Sequence, residues 1–197
     1  AALTDLGIGT RTGVSVTALG YDAIELARDE RITTATVIWT AGMRASPLTE
    51  MLPVARDTLG RVAVDQFMRV EGLEDVFAAG DVAAAMVDQT HSSVMSCQHG
   101  RPMGRFAGHN AAADLLGEEM LALDIPHYVT CLDLGPWGAL YTEGWDRRVT
   151  AQGPEVKKTK MTINCDRIYP PRGGGRADIL DAAEPVVQTP PRESAAD

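Results

Sequence analysis

The first part of the chain alternates apolar and polar residues in ways typical of strands. β-branched residues are frequent over 12–19, and a second short apolar run covers 23–26. The polar segment 28–31 predicts the turn that follows it. Residues 33–40 form a nearly continuous run of apolar and threonine residues that stops at Ala41-Gly42. Such a run predicts a strand that is covered on both faces of a sheet.

Shorter strand patterns follow after a connection rich in proline. Residues 61–64 alternate, which predicts a half-buried strand, and residues 75–79 predict a short buried strand that ends at Gly80-Asp81. Strand patterns return between 125 and 163. From residue 171 onward, proline, glycine and polar residues dominate, which predicts a flexible tail.

The clearest helical pattern covers residues 101–116. Pro102 is suited to a first turn, where its missing N–H costs nothing, and Gly117 is a natural stop. The start of the helix lies between Ser92 and Arg101. The apolar residues with i, i+3 and i+4 spacing are Met103, Phe106, Ala107, Ala111 and Leu115. Together with the strands, this helix predicts an α/β fold.

Composition and charge exclude several classes of function. The 197 residues have a formal net charge of -9, which disfavours nucleic acid and anionic membranes as partners. The three cysteines form no CxxC motif, the histidines lack metal-ligand spacing, and no metal site is expected. No apolar run approaches the ~18 residues of a membrane-spanning helix. A cytoplasmic protein is the simplest interpretation.

Two buried runs end in small residues and glycine: 36–42 and 73–82. This ending lets a ligand approach the backbone at the carboxyl end of a sheet, where α/β folds bind cofactors. Asp81 follows directly and could accept hydrogen bonds from ligand hydroxyls. The segment before the long helix could aim N–H groups at a ligand that carries negative charge. No residue in these patterns stands out as catalytic.

These motifs resemble the two-dinucleotide-binding-domain flavoproteins of the pyridine nucleotide-disulfide oxidoreductase superfamily. Thr40-Ala41-Gly42 matches the junction at which such chains return from the NADH domain to the FAD domain, and 73–81 matches the second FAD motif. Within the superfamily, the segments 35–42, 97–117 and 160–171 are most similar to type II NADH dehydrogenases. A Rossmann-like FAD/NAD(P)-binding fold with a small β-rich C-terminal domain is therefore expected.

The resemblance implies an FAD-dependent NAD(P)H oxidoreductase, with FAD and NAD(P)H as cofactors. It implies that residues 1–42 end the NAD(P)H-binding domain, 43–118 form the second half of the FAD domain, 119–170 form the β-rich domain and 171–197 form the tail. The implied cofactor-binding residues are Thr40, Ala41, Gly42, Gly80, Asp81, Val82, Ser92, Ser93, Val94 and Met95.

Several alternatives stay open at this point. The electron acceptor could be a quinone, a ferredoxin, a disulfide or a small molecule, and Ser93-Val94 replaces an Ala-Gln pair that the family often has near the quinone. The N-terminal GxGxxG fingerprint is expected from a missing N-terminal half or from a partner chain. A non-catalytic, partner-binding module is the alternative of another class. Membrane association is not expected from this chain, and a homodimer is possible.

Overall fold

The computed structural model describes residues 2–171 and 173–191. They divide into two compact units after Gly42. The first unit contains helix α1 (Ala2–Asp5) and one antiparallel sheet. Its strands, in the order β1-β2-β3, are β1 (Val16–Leu19), β2 (Ala23–Leu26) and β3 (Glu30–Thr33). The assignment of the two units to nucleotide-binding domains stays a prediction.

The strand predicted at 33–40 is the main error of the sequence-based prediction in the first unit. Strand β3 ends at Thr33, and residues 35–40 have no regular secondary structure. Val37, Ile38 and Trp39 are 42%, 82% and 59% exposed. A strand needs a neighbour that pairs with its N–H and C=O groups, and no strand of the described residues pairs with this run.

Two short parallel strands begin the second unit. They are β4 (Val62–Ala63) and β5 (Ala83–Ala84), with Val62 opposite Ala83. The predicted strand 75–79 is reduced to one isolated bridge between Phe77 and Arg69. The chain turns on both sides of this bridge, at Asp65 and Gly72, so that a longer ladder cannot form.

The long helix α2 (Cys97–Leu116) confirms the helical prediction and begins inside the predicted interval. Gly117 ends it in the left-handed conformation, at φ +70°, and donates its N–H to carbonyls in the last turn. Pro102 lies inside the helix instead of in its first turn. The carbonyl of Gln98 therefore has no i+4 N–H to accept.

The core of the second unit lies between α2 and the short strands. Met103 and Phe106 from α2 pack here, and Met68 is fully buried. The buried members are Val62, Val64, Met68, Val70, Ala83, Ala85, Val87, Met103, Phe106, Ala107, Leu123 and Ile125. This core positions the first turns of α2 against the segment that contains Gly80.

The C-terminal part contains an antiparallel sheet with a helix packed on it. Its strands are β6 (Val129–Asp133), β7 (Ala139–Glu143) and β8 (Arg148–Gly153), at positions where the sequence predicts strands. Helix α3 (Val156–Met161) buries Val156 against Ala139 and Tyr141 and continues into a π-helical turn, Thr162–Arg167. The alternation along β7 places Ala139 and Tyr141 on the same face.

The segment predicted as a flexible tail contains a helix and makes contacts with the rest of its unit. Helix α4 (Arg176–Ala182) is followed by an extended segment whose Val187 packs against the core. Arg172 and residues 192–197 lie outside the described residues. Across the described part of the chain, no helix is both long enough and apolar enough to cross a membrane.

Candidate cofactor site

The Gly80-Asp81-Val82 motif forms a single 3₁₀ turn after extended backbone at Ala79. Gly80 has φ +73°, a left-handed conformation that favours glycine. Asp81 is exposed, so its carboxylate is free to accept hydrogen bonds from a ligand. The turn therefore places an acceptor and an open stretch of backbone at the surface of the second unit.

The first turns of α2 lie directly against this turn. A Cβ atom built on Gly100 would be 3.5 Å from the Cα atom of Gly80. Side chains larger than alanine at position 100 would push the helix away from the turn. The glycine at position 100 thus brings the N-terminal end of α2 and the Gly80–Val82 turn together.

The segment before α2 has less freedom than the sequence suggests. Ser93 is buried: its N–H donates to the carbonyl of Ala85 at 2.8 Å, and its hydroxyl bonds Ala85 N and Ala83 O. Val94 donates its N–H to Nδ1 of His99 at 2.9 Å. Ser92 pairs with Met86 in an isolated bridge. The N–H groups of Ser93 and Val94 are therefore committed to internal acceptors.

Four consecutive N–H groups remain available at the start of α2. Within residues 2–171 and 173–191, the backbone N–H groups of Met95, Ser96, Cys97 and Gln98 have no acceptor. The N-cap residue Ser96 has an extended backbone, but its side chain does not cap the helix. Its buried Oγ has no partner among the described residues. The available donors are therefore Met95 to Gln98, a range three positions further along the chain than the predicted segment 92–95.

Available N–H groups at a helix N-terminus fit a ligand with carbonyl or phosphate oxygens. The unpartnered Ser96 hydroxyl adds a polar atom that such a ligand could satisfy. The residues predicted from the sequence did not include Ser96, Cys97 and Gln98. The sequence placed the start of the helix only between Ser92 and Arg101. A more precise position for the first helical turn would have identified these three residues.

His99 fixes the shape of this segment from inside the protein. Its side chain is fully buried, and because Nδ1 accepts from Val94, the neutral ring carries its proton on Nε2. Nε2 has no hydrogen-bond partner in the described part of the chain. The ring lies 5.9 Å from the rings of both Tyr128 and Trp145. Burial lowers the pKa of His99 to about 4, so that it is uncharged at neutral pH.

Trp145 connects the segment before α2 to the C-terminal sheet through ring stacking. Its ring stacks on Tyr128 and on His91, with both pairs of ring centroids 4.2 Å apart. His91 is in turn held by the carboxylate of Asp88 at 2.8 Å. Trp145 therefore packs within the protein and stabilises the segment leading to α2.

The remaining predicted residues belong to the first unit. Thr40, Ala41 and Gly42 are exposed, and Gly42 has φ +84°. Their backbone is accessible, as a close approach by a ligand requires. Their role in cofactor binding stays a prediction. Among the described residues, no group of three or more His, Cys, Asp or Glu could hold a metal ion.

Replacing Gly80 by alanine is expected to destabilise the second unit by about 1–2 kcal/mol, because an L-residue is strained in this left-handed conformation. The space around the added methyl group is open, so the cost comes from the backbone alone. Gly104→Ala is the matched control, since Gly104 is helical and equally open. It should stabilise the protein by roughly 0.5–1 kcal/mol. Urea unfolding of both variants measures the contrast, and equal effects would contradict it.

Comparison with known proteins agrees with the motifs. A family model described as pyridine nucleotide-disulphide oxidoreductase matches residues 1–104. An NADH dehydrogenase-like protein of Mycobacterium tuberculosis is 60% identical over 190 residues, covering 96% of this chain and 48% of that protein. A demethylphylloquinone reductase of Synechocystis is 27% identical over 143 residues, covering 71% and 35%. The chain thus spans about half the length of the first of these relatives.

Among solved structures, a NAD-dependent persulfide reductase from A. fulgidus aligns with a TM-score of 0.48 and 14% identity, over 91% of this chain and 44% of that one. The family model, by contrast, covers more than half of the 197 residues and includes both glycine-ended motifs and the start of α2. The chain therefore belongs to the pyridine nucleotide-disulphide oxidoreductase family.

Proposed function

We propose that this chain supplies the second half of the FAD site of an NADH dehydrogenase-like, FAD-dependent NAD(P)H oxidoreductase. Family membership supports a flavoprotein that uses a pyridine nucleotide. The similarity to the mycobacterial NADH dehydrogenase-like protein supports the more specific assignment. When bound, FAD would accept a hydride from NAD(P)H and pass the electrons to an acceptor.

The observation that carries the proposal is the row of available N–H groups beside the Gly80–Val82 turn. Met95 to Gln98 would donate hydrogen bonds to the C2 carbonyl side of the flavin, where negative charge increases on reduction. The positive end of the α2 dipole acts in the same direction. Asp81 would accept from the hydroxyls of the ribityl chain. These residues orient the cofactor and stabilise charge; they take no part in bond making.

Thr40-Ala41-Gly42 would contribute accessible backbone to cofactor binding. Gly42 has a positive φ, a backbone conformation that residues other than glycine adopt at a cost in free energy. His99 has an indirect role in this proposal. By accepting from Val94, it sets the course of the chain just before the four available N–H groups.

The identity of the electron acceptor is a separate proposal. We favour a quinone, because one relative is a demethylphylloquinone reductase. Ser93-Val94 stands where the family often has an Ala-Gln pair. Because Ser93 is buried against Ala83 and Ala85, its hydroxyl makes no direct contact with the electron acceptor. Assays with a soluble quinone, a ferredoxin and a disulfide would rank the candidates, and faster turnover with either of the last two would overturn the quinone.

The ultraviolet–visible spectrum tests the proposal for FAD. The chain alone and the chain joined to the upstream half present in its relatives would be mixed with FAD and separated from free cofactor. We expect flavin absorbance near ~450 nm to remain only with the joined protein and to bleach with NADH. Asp81→Ala should weaken retention of FAD, with exposed Asp146→Ala as the control. If neither form retains flavin, the partner-binding alternative is favoured.

A further inference from the structure

Three arginines line one small cavity whose lining does not include the Gly80–Val82 turn. Arg101 and Arg105 lie on consecutive turns of α2, and Arg167 ends the π-helical turn. The cavity has a volume of about 110 Å³. Residues 186–191, here called the strap, form part of its lining. The fold thus brings three cationic side chains to one place in a chain whose net charge is -9.

Each arginine donates to the strap, and each acceptor is neutral. Arg101 bonds the side-chain Oε1 of Gln188 at 3.1 Å, Arg105 the carbonyl of Val186 at 3.3 Å and Arg167 the carbonyl of Thr189 at 2.6 Å. No carboxylate of the described residues lies within ion-pair distance of any of them. In the same unit, by contrast, Arg61 and Arg69 both pair with aspartates.

The positive charge in this cavity is not neutralised. Burial lowers the pKa of Arg101, and the charge of Arg105 lowers it further. Cys97 raises it, and the charge of Arg167 lowers it by a smaller amount. Guanidinium groups stay protonated at neutral pH, so the mutual repulsion persists in the folded state. An anion placed among the three groups would relieve it.

The strap is held by few hydrogen bonds, so that a ligand could displace it from the arginines. Its one backbone–backbone hydrogen bond in the described residues is local, from Val186 N–H to Glu184 O. Beyond the arginines, it is held by Tyr141, which donates to the carbonyl of Pro191 at 3.0 Å, and by the packing of Val187. An arginine can bind a phosphate through two parallel N–H···O bonds, whereas each arginine here donates to a single neutral oxygen of the strap.

We propose that this cavity binds a ligand with a phosphate group and a short apolar portion, whose phosphate replaces the strap's acceptor atoms on Arg101, Arg105 and Arg167. The wall below the arginines is apolar and would receive the carbon part of the ligand. It is formed by Pro102, Ile125, Val129, Ile163 and Ile168. Cys97 and Gln98 also line the cavity, and their N–H groups belong to the proposed flavin site. The phosphate, by contrast, is held by the three arginine side chains, which the proposed function does not use.

Two probes test whether the cavity recognises phosphate alone or phosphate with an attached apolar group. Isothermal titration of the 197-residue chain would compare inorganic phosphate with butyl phosphate at low ionic strength. We expect butyl phosphate to bind more tightly, because only its alkyl group reaches the apolar wall. Equal affinities would overturn the apolar part of the proposal, and no binding of either probe would overturn all of it.

Variants identify the binding site. Arg101→Gln and Arg167→Gln should each weaken butyl phosphate binding by roughly tenfold, since each removes a charge-assisted bond. Arg148→Gln, on exposed strand β8, is the control and should change nothing. Backbone NMR order parameters of residues 187–189 should fall when butyl phosphate is added, because the strap loses its contacts with the arginines. Affinity unchanged in both Arg101→Gln and Arg167→Gln, with unchanged thermal stability, would reject the site.

Discussion

His99→Asn should make the folded protein less sensitive to acid between pH 6.5 and 4. The pKa of His99 falls from 6.5 to about 4 on folding, so in this range the unfolded chain binds the proton that the folded chain refuses. Stability is therefore complete above pH 6.5 and is lost as the pH falls toward 4. At 1.36 kcal/mol per pKa unit, the loss is about 2–3 kcal/mol.

Asparagine suits this test because its Oδ1 can accept from Val94, as Nδ1 does, but it does not titrate. Urea unfolding at pH 7 and pH 4.5 would compare the wild type, His99→Asn and the control His109→Asn, a partly exposed residue of α2. Carboxylates titrate equally in all three and cancel in the comparison. The same loss of stability in the wild type and in His99→Asn would show that His99 does not carry the effect.

Asn110→Leu should lower the free energy of unfolding by about 3 kcal/mol or more. Asn110 is fully buried on α2; its Nδ2 donates to the carbonyls of Phe67 and Leu121, and its Oδ1 accepts from the N–H of Leu121. Leucine has a similar volume but makes none of these three bonds. The three bonds are part-buried, and each backbone group left unpaired away from water costs roughly 1–3 kcal/mol.

Chemical denaturation measures this loss directly, and Asn164→Leu in the π-helical turn is the control because Asn164 is exposed. Asn110 joins two loops to the helix: the loop around Phe67 and the loop at Leu121. Faster amide exchange at Leu121 should therefore accompany the loss of stability. A change below about 1 kcal/mol, which is typical of surface sites, would contradict the role assigned to Asn110.

The sequence predicted those elements whose signals are local. The apolar spacing of Met103, Phe106 and Ala107 and the stop at Gly117 located α2, because helix periodicity and a left-handed cap are short-range properties. Strand β2 is found at 23–26 as predicted. The two glycine-ended motifs likewise indicated the family, and the comparisons confirm the family.

The sequence did not predict features that depend on distant partners. Residues 33–40 have strand composition, yet pairing and not composition makes a strand, and the described residues offer them no neighbour. Nothing near Asn110 in sequence indicates that it bonds the backbone of Phe67, 43 positions away. The arginines of the cavity are separated from the strap by up to 87 positions.

The proposed cofactor site shows the same division. The residue types around Gly80 and before α2 predicted a ligand with oxygen acceptors there. Only the tertiary structure decided which N–H groups are available, because Ala85 and His99 take those of Ser93 and Val94 and leave those of Met95 to Gln98. A hydrogen-bond donor serves one strong acceptor at a time, and which acceptor reaches it is settled by packing.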